Sequence, residues 1–522
     1  MAVLTLMAEV LVPMAQTRYG EWALVDEWGT TTWGQLNSRA NQIIDALRGM
    51  GLQAGDVVAC MCGNRREYFE LFAAASHSGI LVVPVNWHWV ADEVAYALAD
   101  SGSKIIFGDV RFAETMTAAI HDKPLLAAIA IGGEISGWTP WAEFVASGSD
   151  AEPDNQLVGG PMFYTSGTTG RPKGVRSSML QTVMPASVLA LVASGISQGM
   201  GLASDGVTFL NGPLYHSAQW AFSFLPMLGG AKVVMRDRFD PLETLAVMKA
   251  YKVTNIHLVP TQFNRLLKLS PAARARLQAE HLQVVWHGAA PCSPSVKRQM
   301  IEWWGPRISE YYGATEASIV SAATSEQWLA KPGTVGPVLP TSEVLIIDDD
   351  GNRVGPNVPG TIYVRSTMGQ DFRYHGDDDK TAKAHLEPGV FTIGDVGYLD
   401  DEGWLFLSDR KIDMIISGGV NIYPAEIEGV LVSHPLVKDA AVFGIPNDDW
   451  GEEVKAAVEL FDDVVASDKI VTSILLHCRS QLAGYKVPKS IDIEASLPRH
   501  PTGKLYKRLL RDRYWEGTSR AI

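Results

Sequence analysis

The chain predicts an α/β fold, with a large N-terminal region of layered strands and helices and a small C-terminal α+β domain. Three observations predict it. Short apolar runs alternate with helical spacing from about residue 20 to residue 303. From about residue 332, Gly and Pro become frequent between short β-branched runs, which marks a β-rich subdomain. After Arg410 the alternation returns with charged helices. The boundary therefore falls near 410–412, giving domains 1–410 and 411–522. A chain of 522 residues is long enough for both.

Residues 20–34 read as two short strands around an acidic turn. Leu36, Ala40, Ile43, Ile44 and Leu47 then recur at helical spacing, with Gly51 where a C-cap belongs. Asp56–Met61 is a short apolar run, followed by a helix through Tyr68–Ser78 and a strand at Ile80–Val85. The alternation continues through Asp92–Ala99, Lys104–Phe107 and Arg111–Ile120. This spacing is that of a largely parallel sheet with helices between its strands. A polar stretch, Gly148–Gly160, separates it from a second round. That round places strands at Val207–Leu210, Lys232–Met235, Asn255–Val259 and Gln283–His287. Its helices fall at Ala218–Leu228, Pro241–Tyr251, Thr261–Leu269 and Pro294–Trp303. In the β-rich part, strands are expected at Val344–Asp348, Gly360–Val364 and Trp404–Leu407.

An apolar content of 47% and a charged content of 20% are those of a soluble globular protein. A formal net charge of −14 argues against general nucleic-acid binding and against adsorption to anionic membranes. Cys60, Cys62, Cys292 and Cys478 form no metal-ligand spacing and read as reduced residues. The longest apolar stretches are broken by Ser, His, Gly or Pro, so no membrane span is expected. With no basic-then-apolar leader, cytoplasm is the expected location.

The stretch Tyr164–Val175 (YTSGTTGRPKGV) holds three glycines, one proline, one serine and three threonines, with Arg171 and Lys173 as cations. Glycines let backbone N–H groups converge, and hydroxyls and a lysine add donors, so the stretch reads as a polyphosphate clamp. It is not a Walker A loop, because Gly174 follows the lysine where a Ser or Thr would hold Mg²⁺. The same composition also describes a plain surface loop.

Further blocks follow in order. They are PLYHSA around His216, HGAAP at 287–291, YYGATE at 311–316, GTVGPVLP at 333–340 and the long run 391–428. AGYKVPK at 483–489 and LPRHPTGKLYKR at 497–508 complete the set. Together these resemble the adenylate-forming superfamily of acyl-CoA synthetases, amino-acid-activating domains and luciferases. The resemblance implies the acyl-adenylate synthetase fold, with a mobile C-terminal domain, and ATP, Mg²⁺ and CoA as reactants. Thr165, Ser166, Gly167, Thr168, Thr169, Gly170 and Lys173 would cradle phosphates. Gly288, Ala289 and Ala290 would admit adenine, with Tyr312 and Gly313 beside it.

Activating a carboxylate with ATP brings two anions together, so local positive charge and in-line positioning are needed. Lys504 is implied as the adenylation lysine, a point charge suited to bridging carboxylate and α-phosphate. Thr315 would sit near the α-phosphate, and Glu316 would hold Mg²⁺ together with Thr169. A helix-start carboxylate is the other reading of Glu316. Asp395 stands at the end of an apolar strand, where it can accept ribose hydroxyls, and Arg410 offers a donor fork. A turn aspartate and an interdomain ion pair are the alternatives there. The resemblance further assigns Ser417, Gly418 and Gly419 to the CoA channel, and the hinge to Lys411 and Ile412. The hinge position is usually Asp or Lys, so Ile412 departs from the pattern.

PLYHSA lacks the aspartate with which amino-acid-activating domains hold an ammonium, which favours a plain carboxylic acid. Its His216 would gate the acyl pocket, with Gln219, Trp220, Trp286 and Ala314 as walls. A medium-to-long fatty acid or a bulky aromatic or alicyclic acid fits such walls. A carrier-protein thiol as acceptor and a nucleotide-binding regulator without catalysis are the competing readings. Homodimers are common in the superfamily.

Overall fold

The computed structural model describes residues 11–165, 172–177, 185–203, 205–276, 280–410, 413–417, 420–447, 450–499 and 505–515. The chain divides into two compact units. The first comprises Met1–Leu258, Leu269–Trp286 and Gln370–Lys383. The second comprises Val259–Lys268, His287–Gly369 and Ala384–Ile522.

Two parallel layers organise the first unit. One sheet runs in the order Thr139–Pro140, Ala127–Ile131, Ile105–Asp109, Val57–Met61, Leu81–Pro84, Gly160–Pro161. Every pair in it is parallel. Val57–Met61 is buried at all its positions, which explains a continuous apolar run where a one-faced strand would alternate. The other layer joins Asn255–Leu258, Val207–Leu210, Lys232–Met235 and Trp22–Val25 in parallel, with Thr30–Thr32 antiparallel at its edge. Helix Trp33–Gly49 starts at a capping box, in which the Thr32 hydroxyl accepts from Gln35 N and the Gln35 side chain accepts from Thr32 N. With helix Arg66–Ser78 it packs a core around Leu36, Ile43, Phe69 and Phe72. A third sheet is antiparallel and joins Phe163–Thr165, Lys173–Ser177 and Phe372–Tyr374. It brings Phe372–Tyr374, from far downstream, against the strand that carries Lys173.

In the second unit, Thr334–Pro337, Trp404–Arg410, Val390–Leu399, Gly360–Ser366 and Ser342–Ile347 form an antiparallel sheet. Strands Ile308–Ala314 and Ser318–Ala323 pair beside one another as a hairpin. The C-terminal stretch makes a sheet of Val420–Ile422, Ile415–Ser417, Gly451–Leu460 and Val437–Asn447, with Ser490–Glu494 parallel to Gly451–Leu460. Helices Pro424–Ser433 and Asp468–Gln481 bury Ile427, Leu431, Ile474 and Cys478 against it.

The alternation expected between residues 20 and 303 is present, element by element. Two local expectations are corrected. Asp395 lies inside the ten-residue strand Val390–Leu399 rather than at a strand end, because its backbone pairs across to Arg410. Glu316 starts no helix, since the next element is the strand Ser318–Ala323. Among the described residues no helix is long and apolar enough to cross a membrane. The four cysteines are free thiols, three of them buried.

Candidate active site

Residues 166–171 join two strands whose ends are held side by side, with Thr165 in register with Lys173. Ser166, Gly167, Thr168, Thr169 and Gly170 lie outside the described residues. The strand before them is anchored by Tyr164, whose hydroxyl donates to Asp100 Oδ2 at 2.6 Å. Burial, with Asp100 beside it, raises that phenol well above its ordinary range. Lys173 is half-buried and its ammonium is bonded to the Asp377 carboxylate. Lys173 holds the Asp377 carboxyl below its usual range, and the Lys380 N–H at 2.9 Å adds to this. Asp377 thereby fixes where the lysine ammonium points. Nothing in the sequence singled it out, because Asp377, Asp378 and Asp379 are locally equivalent.

His216, Gln219 and Trp220 share the start of helix Ser217–Leu228, with His216 as its N-cap residue. The loop leading to them is fixed by Asn64, another residue that sequence reasoning missed. Its Nδ2 donates to the carbonyls of Gly212 and Arg236, both at 2.8 Å, and Leu214 N donates to its Oδ1 at 3.0 Å. A side chain at Gly212 would collide with the Gln219 amide, so the loop crosses close over that glutamine.

The three helix residues diverge. Gln219 Nε2 donates to His257 Nδ1 at 2.9 Å. Phe222 lies against His257 at 4.7 Å and against Trp286 at 5.9 Å between ring centroids. Trp286 spends its indole N–H on the Met200 carbonyl at 2.9 Å, so it is a fixed wall. Trp220 instead stacks on Phe224 at 5.3 Å and meets Phe72 and Phe163. Gln219, Phe222, His257 and Trp286 form one cluster, and Trp220 belongs to a neighbouring aromatic group.

Burial pushes the His257 imidazole down to about 3, so the cluster carries no charge from it at neutral pH. The sign for stability follows. Below pH 6.5 the unfolded chain takes a proton that the folded histidine refuses until about pH 3. Unfolding free energy is therefore expected to fall with pH in that window, by at most about 1.4 kcal/mol per unit from this group. Denaturant titrations between pH 6.5 and 5 should show a shallower slope in His257→Gln than in the parent. Equal slopes would contradict the buried neutral imidazole.

In the second unit the nucleotide-side candidates converge. Gly288 lies under Tyr311, so that a Cβ there would meet the ring at 2.7 Å and the carbonyl oxygen at 2.8 Å. Ala289 holds φ of 64°, a left-handed conformation that costs a non-glycine residue about 1–2 kcal/mol. Ala290 follows it, half-buried. The Tyr312 hydroxyl donates to Asp395 Oδ2 at 2.9 Å, and both residues are buried. Asp395 stands in register with Arg410, whose side chain is not among those described. Ala314 ends strand Ile308–Ala314, and Thr315 and Glu316 occupy the bend before strand Ser318–Ala323; all three are half-buried. At Gly313 a Cβ would land on the Ser318 carbonyl oxygen.

A half-buried carboxylate next to hydroxyl Thr315 suits Mg²⁺, which takes one or two carboxylates and otherwise phosphates and water. Ser417 pairs with Val420 and with Gly451 across two strand edges. Gly418, Gly419, Lys411, Ile412 and Lys504 lie outside the described residues.

The AMP-binding enzyme family matches residues 13–369, and the AMP-binding enzyme C-terminal domain matches residues 426–504. The fatty acid–[acyl-carrier-protein] ligase ScoC of Streptomyces coeruleorubidus is 29% identical over 96% of this chain and 95% of its own. Feruloyl-CoA synthase of an Amycolatopsis species is 32% identical over 96% and 98%. Among solved structures, ATP-bound MatB from Rhodopseudomonas palustris superposes with a TM-score of 0.82. It is 26% identical and covers 97% of this chain and 99% of that one.

Proposed function

Because this chain belongs to the AMP-binding enzyme family, as an adenylate-forming enzyme of the acyl-CoA synthetase type, we propose that it activates a hydrophobic carboxylic acid with ATP and passes the acyl group to CoA. The observation that carries the nucleotide half of this reading is the Tyr312–Asp395 hydrogen bond. It fixes the Asp395 carboxylate beside Tyr312, where ribose hydroxyls would meet it, with Arg410 in register across the strand pair.

The acid's carboxylate oxygen attacks the α-phosphorus, and the bond to the β-phosphate breaks to release pyrophosphate. Lys173, aimed by Asp377, meets the outer phosphates, and Lys504 bridges the carboxylate and α-phosphate charges. Glu316, with Thr169, would hold Mg²⁺, which would supply charge neutralisation to the phosphates. In the second step the CoA thiol attacks the acyl carbonyl, the bond to AMP breaks, and the thiol proton leaves to solvent. Domain 411–522 turns about Lys411 and Ile412 between the steps, withdrawing Lys504 and presenting Ser417, Gly418 and Gly419 to CoA. The acid faces the uncharged wall of Gln219, Phe222, His257 and Trp286. That wall suits a fatty acid or a bulky aromatic acid. His216 completes the pocket, the enzyme works in the cytoplasm, and it pairs as a homodimer.

The test is AMP release from ATP over a panel of acids, with and without CoA. CoA-dependent turnover with fatty or aryl acids supports the ligase. ScoC, whose name gives an acyl-carrier protein as acceptor, favours one second reading. Pyrophosphate release that CoA cannot draw on to AMP, and a carrier protein can, would replace CoA as acceptor. Tight ATP binding without turnover on any acid would leave a regulator.

A further inference from the structure

Lys297 is wholly buried, on helix Pro294–Trp304, which begins three residues after the 287–291 segment. Its Nζ lies 2.5 Å from Glu310 Oε2 and 4.9 Å from the Trp328 ring centroid. The same Glu310 oxygen is 3.7 Å from His287 Nε2, and His287 is itself fully buried and edge-on to Phe263. Burial pushes the Glu310 carboxyl up and the Lys297 ammonium down, each countered by the other's charge. Burial also raises the nearby Cys292 thiol, with Glu310 adding to it.

The Lys297–Glu310 pair thus ties two pieces of chain, and His287 lies beside the same carboxylate. His287 opens the adenine segment, Lys297 follows it, and Glu310 immediately precedes Tyr311 and Tyr312. Gly288 packs on Tyr311 beside this tie, and Ala289 keeps its left-handed backbone there. A buried ion pair is a poor device for stability, because apolar residues of similar volume generally do as well or better. It is a good device for registry, since only one alignment of the two segments satisfies both charges.

We propose that Lys297 and Glu310 are positioning residues for the nucleotide, holding the 287–291 segment in register against the Tyr311–Tyr312 strand. This rests on the nucleotide site proposed above. The experiment compares the parent with Lys297→Met, Glu310→Met and the double variant, reading melting temperature, ATP affinity by calorimetry, and KM for ATP and for the acid. Each single variant should melt lower, because it strands a buried charge. The double variant should regain the melting temperature, yet keep ATP affinity reduced by about 10- to 100-fold with KM for the acid unchanged. Recovery of ATP affinity together with stability would overturn the proposal, as would a parallel rise in the acid's KM. Should the double variant fail to fold, Glu310→Gln decides. It keeps one hydrogen bond to the ammonium without the charge, and KM for ATP alone should rise; no rise, or equal rises for ATP and acid, overturns it. A parent enzyme that binds no ATP would instead sink the nucleotide site itself, and this inference with it.

Discussion

Lys504→Ala is expected to lower acid-dependent pyrophosphate release by about 10²- to 10³-fold, while thioester formation from supplied acyl-adenylate and CoA changes by less than about threefold. The asymmetry follows from the chemistry. In adenylation two anions meet and charge develops at the α-phosphate, so a removed ammonium is missed most in that transition state. In thioester formation the nucleophile is a thiol and the leaving group already carries the phosphate charge. Single-turnover assays of each half-reaction would separate them. An equal loss in both would mean that Lys504 serves the fold of the C-terminal domain rather than the first step.

Gly313→Ala should be nearly as damaging for a different reason. Its Cβ would land on the Ser318 carbonyl oxygen and 3.0 Å from Ile319 Cα, both backbone atoms of the partner strand. A flexible side chain could move aside; a paired strand cannot. The bend that carries Thr315 and Glu316 must open, costing about 1–3 kcal/mol of overpacking strain. Because the bend supplies the proposed Mg²⁺ carboxylate, kcat/KM for ATP is expected to fall about 100-fold, and Mg²⁺ dependence to shift upward. Gly429→Ala is the matched control. That glycine lies inside helix Pro424–Ser433 with open space around it, so alanine there should stabilise by about 0.5–1 kcal/mol and leave catalysis alone. Wild-type ATP kinetics in Gly313→Ala would show that the bend tolerates displacement, and would detach Glu316 from the metal.

The pairings at the site are of two kinds. Strand Val57–Met61, helix Trp33–Gly49 and the hairpin bend after Tyr312 could be read locally, because apolar period, capping residues and turn residues are short-range properties. Asp395 was legible as a candidate, yet its place inside a strand was not, since Gly394 and Gly397 flank it as they would in a turn. Trp220 and Trp286 looked alike in sequence and differ in the fold: one stacks among phenylalanines, the other is tied to Met200.

By itself the sequence determined the layered α/β class, the order of the chemical blocks, and the kind of residue each block offers. The tertiary structure alone decided which of those residues have partners. Lys173 meets Asp377, 204 positions away; Asn64 reaches Leu214, 150 positions away; and Tyr312 finds Asp395, 83 positions away. Local spacing carries no information across such gaps. Strand register and crossover decide them, and both follow from how the chain buries its apolar faces over its whole length.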